Sequence, residues 1–176
     1  HRGQTEETRV VSVDVDLHET SDLKIRTATN ADADEVRTLV FSVLAEYGLE
    51  PDPETTDADL KDIEASYTKA GGMFEVIEDG EGRLVGTIGL FRVDEKTCEL
   101  RKMYFVPELR GRGFGKFMLE RAVNHARTLG FKRIVLETAS VLEEAIRLYT
   151  RFGFRPVSRH HLAPRADRAY FLDLSE

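Results

Sequence analysis

The sequence has no tryptophan and one cysteine, Cys98, in 176 residues. A single cysteine excludes an internal disulfide framework and any zinc site built from several thiolates. No stretch reaches the roughly 18 apolar residues of a membrane-crossing helix. The segment 1–22 has no apolar h-region and carries Glu6, Glu7, Asp14, Asp16, Glu19 and Asp22, so it does not read as a secretory signal. The expectation is a cytoplasmic protein with no membrane partner. Proline is scarce, at five, and no low-complexity linker or internal repeat divides the chain. A chain of this length buries about 70% of its unfolded surface as one domain. With 41% hydrophobic and 32% charged residues, it is not a disordered polymer.

Positive charge is scarce only in the front half. Residues 1–97 hold 10 Lys and Arg against 23 Asp and Glu, a net of −13, whereas residues 98–176 hold 15 against 9, a net of +6. An acidic front joined to a basic back points to an anionic ligand held by the back half. The overall charge of −7 argues against nucleic acid as a partner.

Periodicity then places the elements. Residues 1–22 read as an acidic, flexible tail, with an edge strand over Val10–Val15 as the lesser alternative, and a single domain spans 23–176. Leu23 and Ile25 mark a first strand. Val36, Leu39, Val40, Val43, Leu44 and Tyr47 recur at helical spacing and end at Gly48. A second, weaker helix is expected from Asp57 to Ala70. Three antiparallel strands follow between 73 and 106, separated by Asp79–Gly82 and Asp94–Thr97. Next come a helix closed by Gly130, a strand over 133–138, a helix from about 142 to 152 closed by Gly153, and a last strand over 169–174. The expected fold is α/β: a mixed, mostly antiparallel central sheet with helices on both faces.

Arg110-Gly111-Arg112-Gly113-Phe114-Gly115-Lys116 lies between a strand and a helix. Glycines permit a tight turn and close approach of a ligand to backbone N–H groups at the positive end of the helix dipole, so phosphate or pyrophosphate is the natural guest. A Walker loop is excluded because position 110 is Arg and Lys116 is followed by Phe117. A dinucleotide fingerprint fails on spacing, since the loop reads G-x-G-x-G, and on context, since it follows antiparallel strands. Glu137 on the next strand stands at a distance suited to a ribose contact but carries little weight alone.

Arg110-x-x-Gly113-x-Gly115 resembles the Q/R-x-x-G-x-G/A signature of the GNAT (GCN5-related N-acetyltransferase) superfamily. The preceding Leu100–Pro107 and the later Leu148-Tyr149-Thr-Arg-Phe-Gly153-Phe154 are similar to that superfamily's elements in order and spacing. The resemblance spans roughly residues 23–174 and implies an acetyl-CoA-dependent N-acetyltransferase. It places the pyrophosphate on Arg110, Gly111, Arg112, Gly113, Phe114, Gly115 and Lys116, and the pantetheine along Met103, Tyr104, Phe105 and Val106. The acetyl group would lie where this strand and the 133–138 strand part.

The resemblance also makes Tyr149 the acid that protonates the leaving sulfur and Glu99 the base for the attacking amine, against the plainer readings of a packed aromatic and a carboxylate paired with Arg101 or Lys102. Family members often carry Asn where Leu142 stands, so that contact is either absent or replaced by Thr138 or Ser140. No metal is implied. Cys98 reads as a buried structural residue and His160-His161 as a loop. The acidic run from Asp52 to Glu64 reads as a solvated face, with attraction of a cationic amine as the alternative. The expected acceptor is a primary amine of a small molecule, with a protein amine or a catalytically silent acyl-CoA-binding module as alternatives. A homodimer is compatible with the family.

Overall fold

Local turn chemistry builds the centre of the sheet. Asp79 Oδ1 accepts the amides of Glu81 and Arg83 at 2.9 and 3.0 Å, and Asp94 Oδ1 accepts those of Lys96 and Thr97 at 2.8 Å each. These Asx-type turns join β3 (Met73–Glu78), β4 (Leu84–Arg92) and β5 (Thr97–Phe105) into an antiparallel meander. The computed structural model describes residues 9–11, 23–158 and 161–175. The other elements are β1 (Arg9–Val11), β2 (Leu23–Thr27), α1 (Ala33–Glu46), α2 (Phe114–Thr128), β6 (Arg133–Thr138), α3 (Glu143–Phe152), β7 (Arg155–Pro156) and β8 (Arg168–Asp173). The strands form one sheet in the order β1-β2-β3-β4-β5-β6-β8-β7, and only the β5–β6 pair is parallel. This is the mixed, mostly antiparallel sheet expected.

Neighbouring side chains on a strand point to opposite faces. On β3, Glu75 takes a two-pronged ion pair from Arg121 of α2, with both bonds at 2.8 Å. The adjacent Phe74 packs edge-on against Tyr67, ring centroids 4.9 Å apart. So α2 covers one face, and the segment bearing Tyr67 covers the other. Arg37 of α1 ties that helix to the same segment through the Leu60 carbonyl at 2.9 Å.

The helix expected over 57–70 is absent. A 3-10 turn, Ala58–Leu60, and one π turn, Glu64–Thr68, replace it. The cause is long-range charge pairing: Asp57 and Asp59 are both turned inward toward Lys102, so the segment follows its ion pairs rather than a helical period. Of the expected tail, Arg9–Val11 forms edge strand β1 against β2, and the rest of 1–22 lies outside the described residues.

Two irregularities in β5 position the site. Its parallel pairing with β6 runs only from Thr97–Arg133 to Glu99–Val135, so the later halves of the two strands part. Opposite β4 the register shifts by one between Thr87 and Gly89, a β-bulge in which Lys102 has φ 55°. Lys102 is the one non-glycine residue with positive φ among the described residues. Thr87 Oγ1 donates to the Lys102 carbonyl at 2.6 Å and fixes the bulge.

Candidate functional site

A cleft of 480 Å³ opens in the fork between β5 and β6. Its floor is Glu99 to Phe105 of β5. Glu137, Thr138, Leu148 and Tyr149 wall one side, and Tyr47, Leu49, Thr55 and Thr56 wall the other.

One end is the glycine loop. Gly111 and Gly113 have φ 73° and 82°, where a Cβ would meet no atom within 4 Å, so these two are required by backbone conformation. A Cβ at Gly115 would sit 3.1 Å from Leu148 Cδ2, a tight contact that a small shift of that side chain would relieve. Gly113 is the N-cap of α2, so the amides of the first helical turn have no partner within the helix. The three cations are not equivalent. Arg110 stacks over Tyr47 at 5.3 Å, donates from Nη2 to the Phe105 carbonyl at 2.9 Å, and pairs with Glu46. Its side chain therefore clips the loop to α1. Lys116 is exposed, 4.0 Å from Glu120, and Arg112 is half-buried with a partner of its own.

Met103, Tyr104 and Phe105 line the cleft beyond the last β5–β6 pair. Val106 does not; its amide is bonded to Val85 O at 3.0 Å. Phe114 is packed in the core instead. Thr138 and Leu142 line the cleft, while Ser140 is held away by Asp167, which accepts both its amide and its hydroxyl at 2.7 Å.

Tyr149 sits on the cleft wall, buried, with its ring 5.7 Å from that of Phe154. Burial, with Tyr104 nearby, raises its pKa above the usual phenol range. It is therefore a neutral hydrogen-bond donor at physiological pH. Glu99 stands at the fork's apex with its carboxylate 2.5 Å from Arg101 Nε, the pairing weighed from the sequence. Cys98 is fully buried and its thiol is pushed up to about 12 by desolvation, which makes it inert. His161 is exposed, and His160 lies outside the described residues.

The other end holds a buried charge network that sequence reasoning missed. Lys102 Nζ lies 3.0 Å from Asp57 and 3.4 Å from Asp59, all three side chains nearly inaccessible. Arg165, from the β7–β8 connection, grips Asp57 with bonds of 2.7 and 2.6 Å. Tyr67 donates its hydroxyl to Asp59. Burial alone would raise the Asp57 carboxyl, yet Arg165, the Asp52 amide and Lys102 hold it at about 2. The inward acids of the 52–64 run are thus neutralised internally rather than presented to solvent. Glu137, placed by sequence at a distance suited to a ribose, lines the cleft across the fork from Glu99, and its Oε2 accepts the Ala163 amide at 3.2 Å. The one sequence signal for the network was the alternation of Asp57 and Asp59 with Ala58 and Leu60, which suits neither a helix nor a solvated face.

No described helix is long and apolar enough to cross a membrane. The family model for the acetyltransferase (GNAT) family matches residues 37–154. An uncharacterized N-acetyltransferase of Escherichia coli (strain K12), YjgM, is 38% identical over 138 residues, which is 76% of this chain and 82% of the relative. The crystal structure of a GNAT-family acetyltransferase from Staphylococcus aureus Mu50 superposes with a TM-score of 0.81 at 25% identity, over 87% of this chain and 99% of that one. A GNAT-superfamily phosphinothricin acetyltransferase from Sinorhizobium meliloti, solved in complex with acetyl-CoA, shares the fold with a TM-score of 0.67 at 21% identity, over 89% of each chain. The chain belongs to the acetyltransferase (GNAT) family and is an acyltransferase of the N-acetyltransferase kind.

Proposed function

From that membership we propose that the cleft takes acetyl-CoA and that the chain transfers the acetyl group to a primary amine of a small molecule. The carrying observation is the fork. Past Glu99–Val135, β5 has no strand beside it on the β6 side, and the glycine loop stands at the far end of that open edge. An extended amide-bearing arm can pair there as a strand would. Gly111, Gly113 and the first amides of α2 offer the anion cradle for its pyrophosphate. The Arg110 side chain braces that cradle through Glu46 and Phe105, and Lys116 supplies positive charge at its mouth.

The reaction is a direct displacement. The amine nitrogen forms a bond to the acetyl carbonyl carbon, and the carbon–sulfur bond breaks. Tyr149 gives its phenolic proton to the departing sulfur. The proton lost by the amine passes to a cleft carboxylate, Glu99 or Glu137, directly or through water. Burial keeps the Tyr149 phenol protonated, so it is available as a donor as negative charge develops on the sulfur.

A small acceptor is favoured by the roof over the free side of the fork. The 47–56 segment and the 163–166 segment both line the cleft, and the Arg165–Asp57 ion pair joins them. Release of free thiol from acetyl-CoA over a panel of small amines tests the proposal. We expect amine-dependent release, with Tyr149→Phe lowering kcat at least about tenfold while acetyl-CoA binding persists. Binding without release, and no effect of Tyr149→Phe, would leave an acyl-CoA-binding module without catalysis. Release with peptide amines alone would move the acceptor to protein.

A further inference from the structure

The two walls of the acceptor end are rooted on different arms of the fork. The 163–167 segment is tied to β6. The Ala163 amide donates to Glu137 Oε2 at 3.2 Å and the Asp167 amide to the Thr138 carbonyl at 3.1 Å. The Asp167 carboxylate accepts the Ser140 amide and hydroxyl at 2.7 Å each. The opposite wall, from Glu50 to Asp57, is held to β5. Lys102 Nζ lies 3.0 Å from Asp57 and donates to the Thr56 carbonyl at 3.3 Å, and the Asp57 carboxylate also accepts the Asp52 amide at 2.8 Å. The β5–β6 pairing has already ended at Glu99–Val135, so neither anchorage fixes the distance between the walls.

Arg165 fixes it. Its Nη1 and Nη2 donate to the two carboxylate oxygens of Asp57 at 2.7 and 2.6 Å, and Nη1 also reaches the Glu50 carbonyl at 3.5 Å. Among the described residues, these bonds from one side chain are the hydrogen bonds that cross from wall to wall. The Asp57 side chain is inaccessible and that of Arg165 is 16% exposed, so solvent screens the pair far less than a surface contact. Two parallel bonds set orientation as well as separation. Ala163, Arg165 and Ala166 line the cleft on one side of this crossbar, and Thr55 and Thr56 on the other. An amine on a small body enters between walls held at that spacing. An amine on a polypeptide brings further chain with it and needs the walls farther apart.

Resting on the acetyl transfer to a small amine proposed above, we propose that Arg165 sets the size of the acceptor: its crossbar to Asp57 admits small amines and excludes amines carried on a polypeptide. The experiment compares kcat/KM within two pairs that share a reacting amine but differ in bulk. Phenylalanine amide is paired with a longer peptide beginning with phenylalanine, and Nα-acetyl-lysine amide with a longer, N-terminally blocked peptide holding a single lysine. The wild type, Arg165→Ala and Arg165→Lys are compared, each checked for native circular dichroism and for acetyl-CoA affinity by calorimetry. Wild type should favour the small member of each pair it acetylates. In Arg165→Ala the ratio of peptide to small acceptor should rise at least about tenfold. Arg165→Lys, which keeps the charge but loses the two-pronged contact, should lie between, and it carries the test if Arg165→Ala does not fold. A role confined to stability would lower both members alike, so an unchanged ratio in the variants overturns the inference and leaves acetyl transfer standing. Wild type taking both members equally well overturns it too. A wild-type preference for the peptides overturns both the inference and the small-molecule acceptor. If acetyl-CoA binds and no amine is acetylated by any form, the acetyl-transfer reading falls with it.

Discussion

Removing the Lys102 side chain tests how the floor of the cleft is held. Lys102 joins two costs: a left-handed backbone at φ 55° and an ammonium buried against Asp57 and Asp59. In Lys102→Ala both carboxylates stay buried, one with Arg165 and the other with Tyr67 alone. Breaking a buried ion pair from one side costs about 3–5 kcal/mol. Lys102→Gly loses the same ammonium but adopts the left-handed backbone freely, recovering about 1 kcal/mol of that cost. Urea unfolding at neutral pH should lower the midpoint by about 2 M for Lys102→Ala, at about 2 kcal/mol per molar urea, with Lys102→Gly the more stable of the two. Acid titration carries the same signature. The Asp57 carboxyl is depressed to about 2 in the folded chain, so its contribution is complete above the unfolded value near 4. That contribution is lost as pH falls from about 4 through about 2, and in the lysine variants it should be smaller and its loss complete at higher pH. A change under about 1 kcal/mol for Lys102→Ala, or Lys102→Gly less stable than Lys102→Ala, would refute the account of a strained bulge held by buried charge.

Gly113→Asp sets a carboxylate at φ 82° in open space at the anion cradle. Calorimetry should show acetyl-CoA binding at least about tenfold weaker, with stability about 1–2 kcal/mol below wild type from the left-handed backbone. Glu99→Gln and Glu137→Gln separate the two carboxylates. The one that takes the amine proton should lose at least about tenfold in kcat, and the other should change mainly KM for the acceptor.

Local and periodic signals made most of the fold legible. The Asp79 and Asp94 turns and the apolar face from Val36 to Leu44 carry their structure in a few adjacent residues. The glycine loop was legible for the same reason, since positive φ at Gly111 and Gly113 leaves a mark in composition. The charge network around Lys102 was opaque because its contacts are long-range. Arg165 and Asp57 are separated by 108 positions, and nothing around either residue announces the other. The bulge was hidden as well: Leu100 to Phe105 reads as an uninterrupted strand, and the left-handed residue in it is a lysine. Ser140 was a reasonable substitute for a missing polar contact until Asp167 captured it. The expected helix over 57–70 failed where two acids found partners across the sheet, which outweighed a weak helical pattern.

A crystal structure with bound coenzyme A would test the central claim most directly. The account predicts pyrophosphate density on the amides from Gly111 to Lys116, the pantetheine alongside Met103 to Phe105 in the strand gap, and the sulfur within hydrogen-bond reach of the Tyr149 hydroxyl. Coenzyme A bound elsewhere, or with its sulfur remote from the fork at Glu99 and Val135, would contradict it.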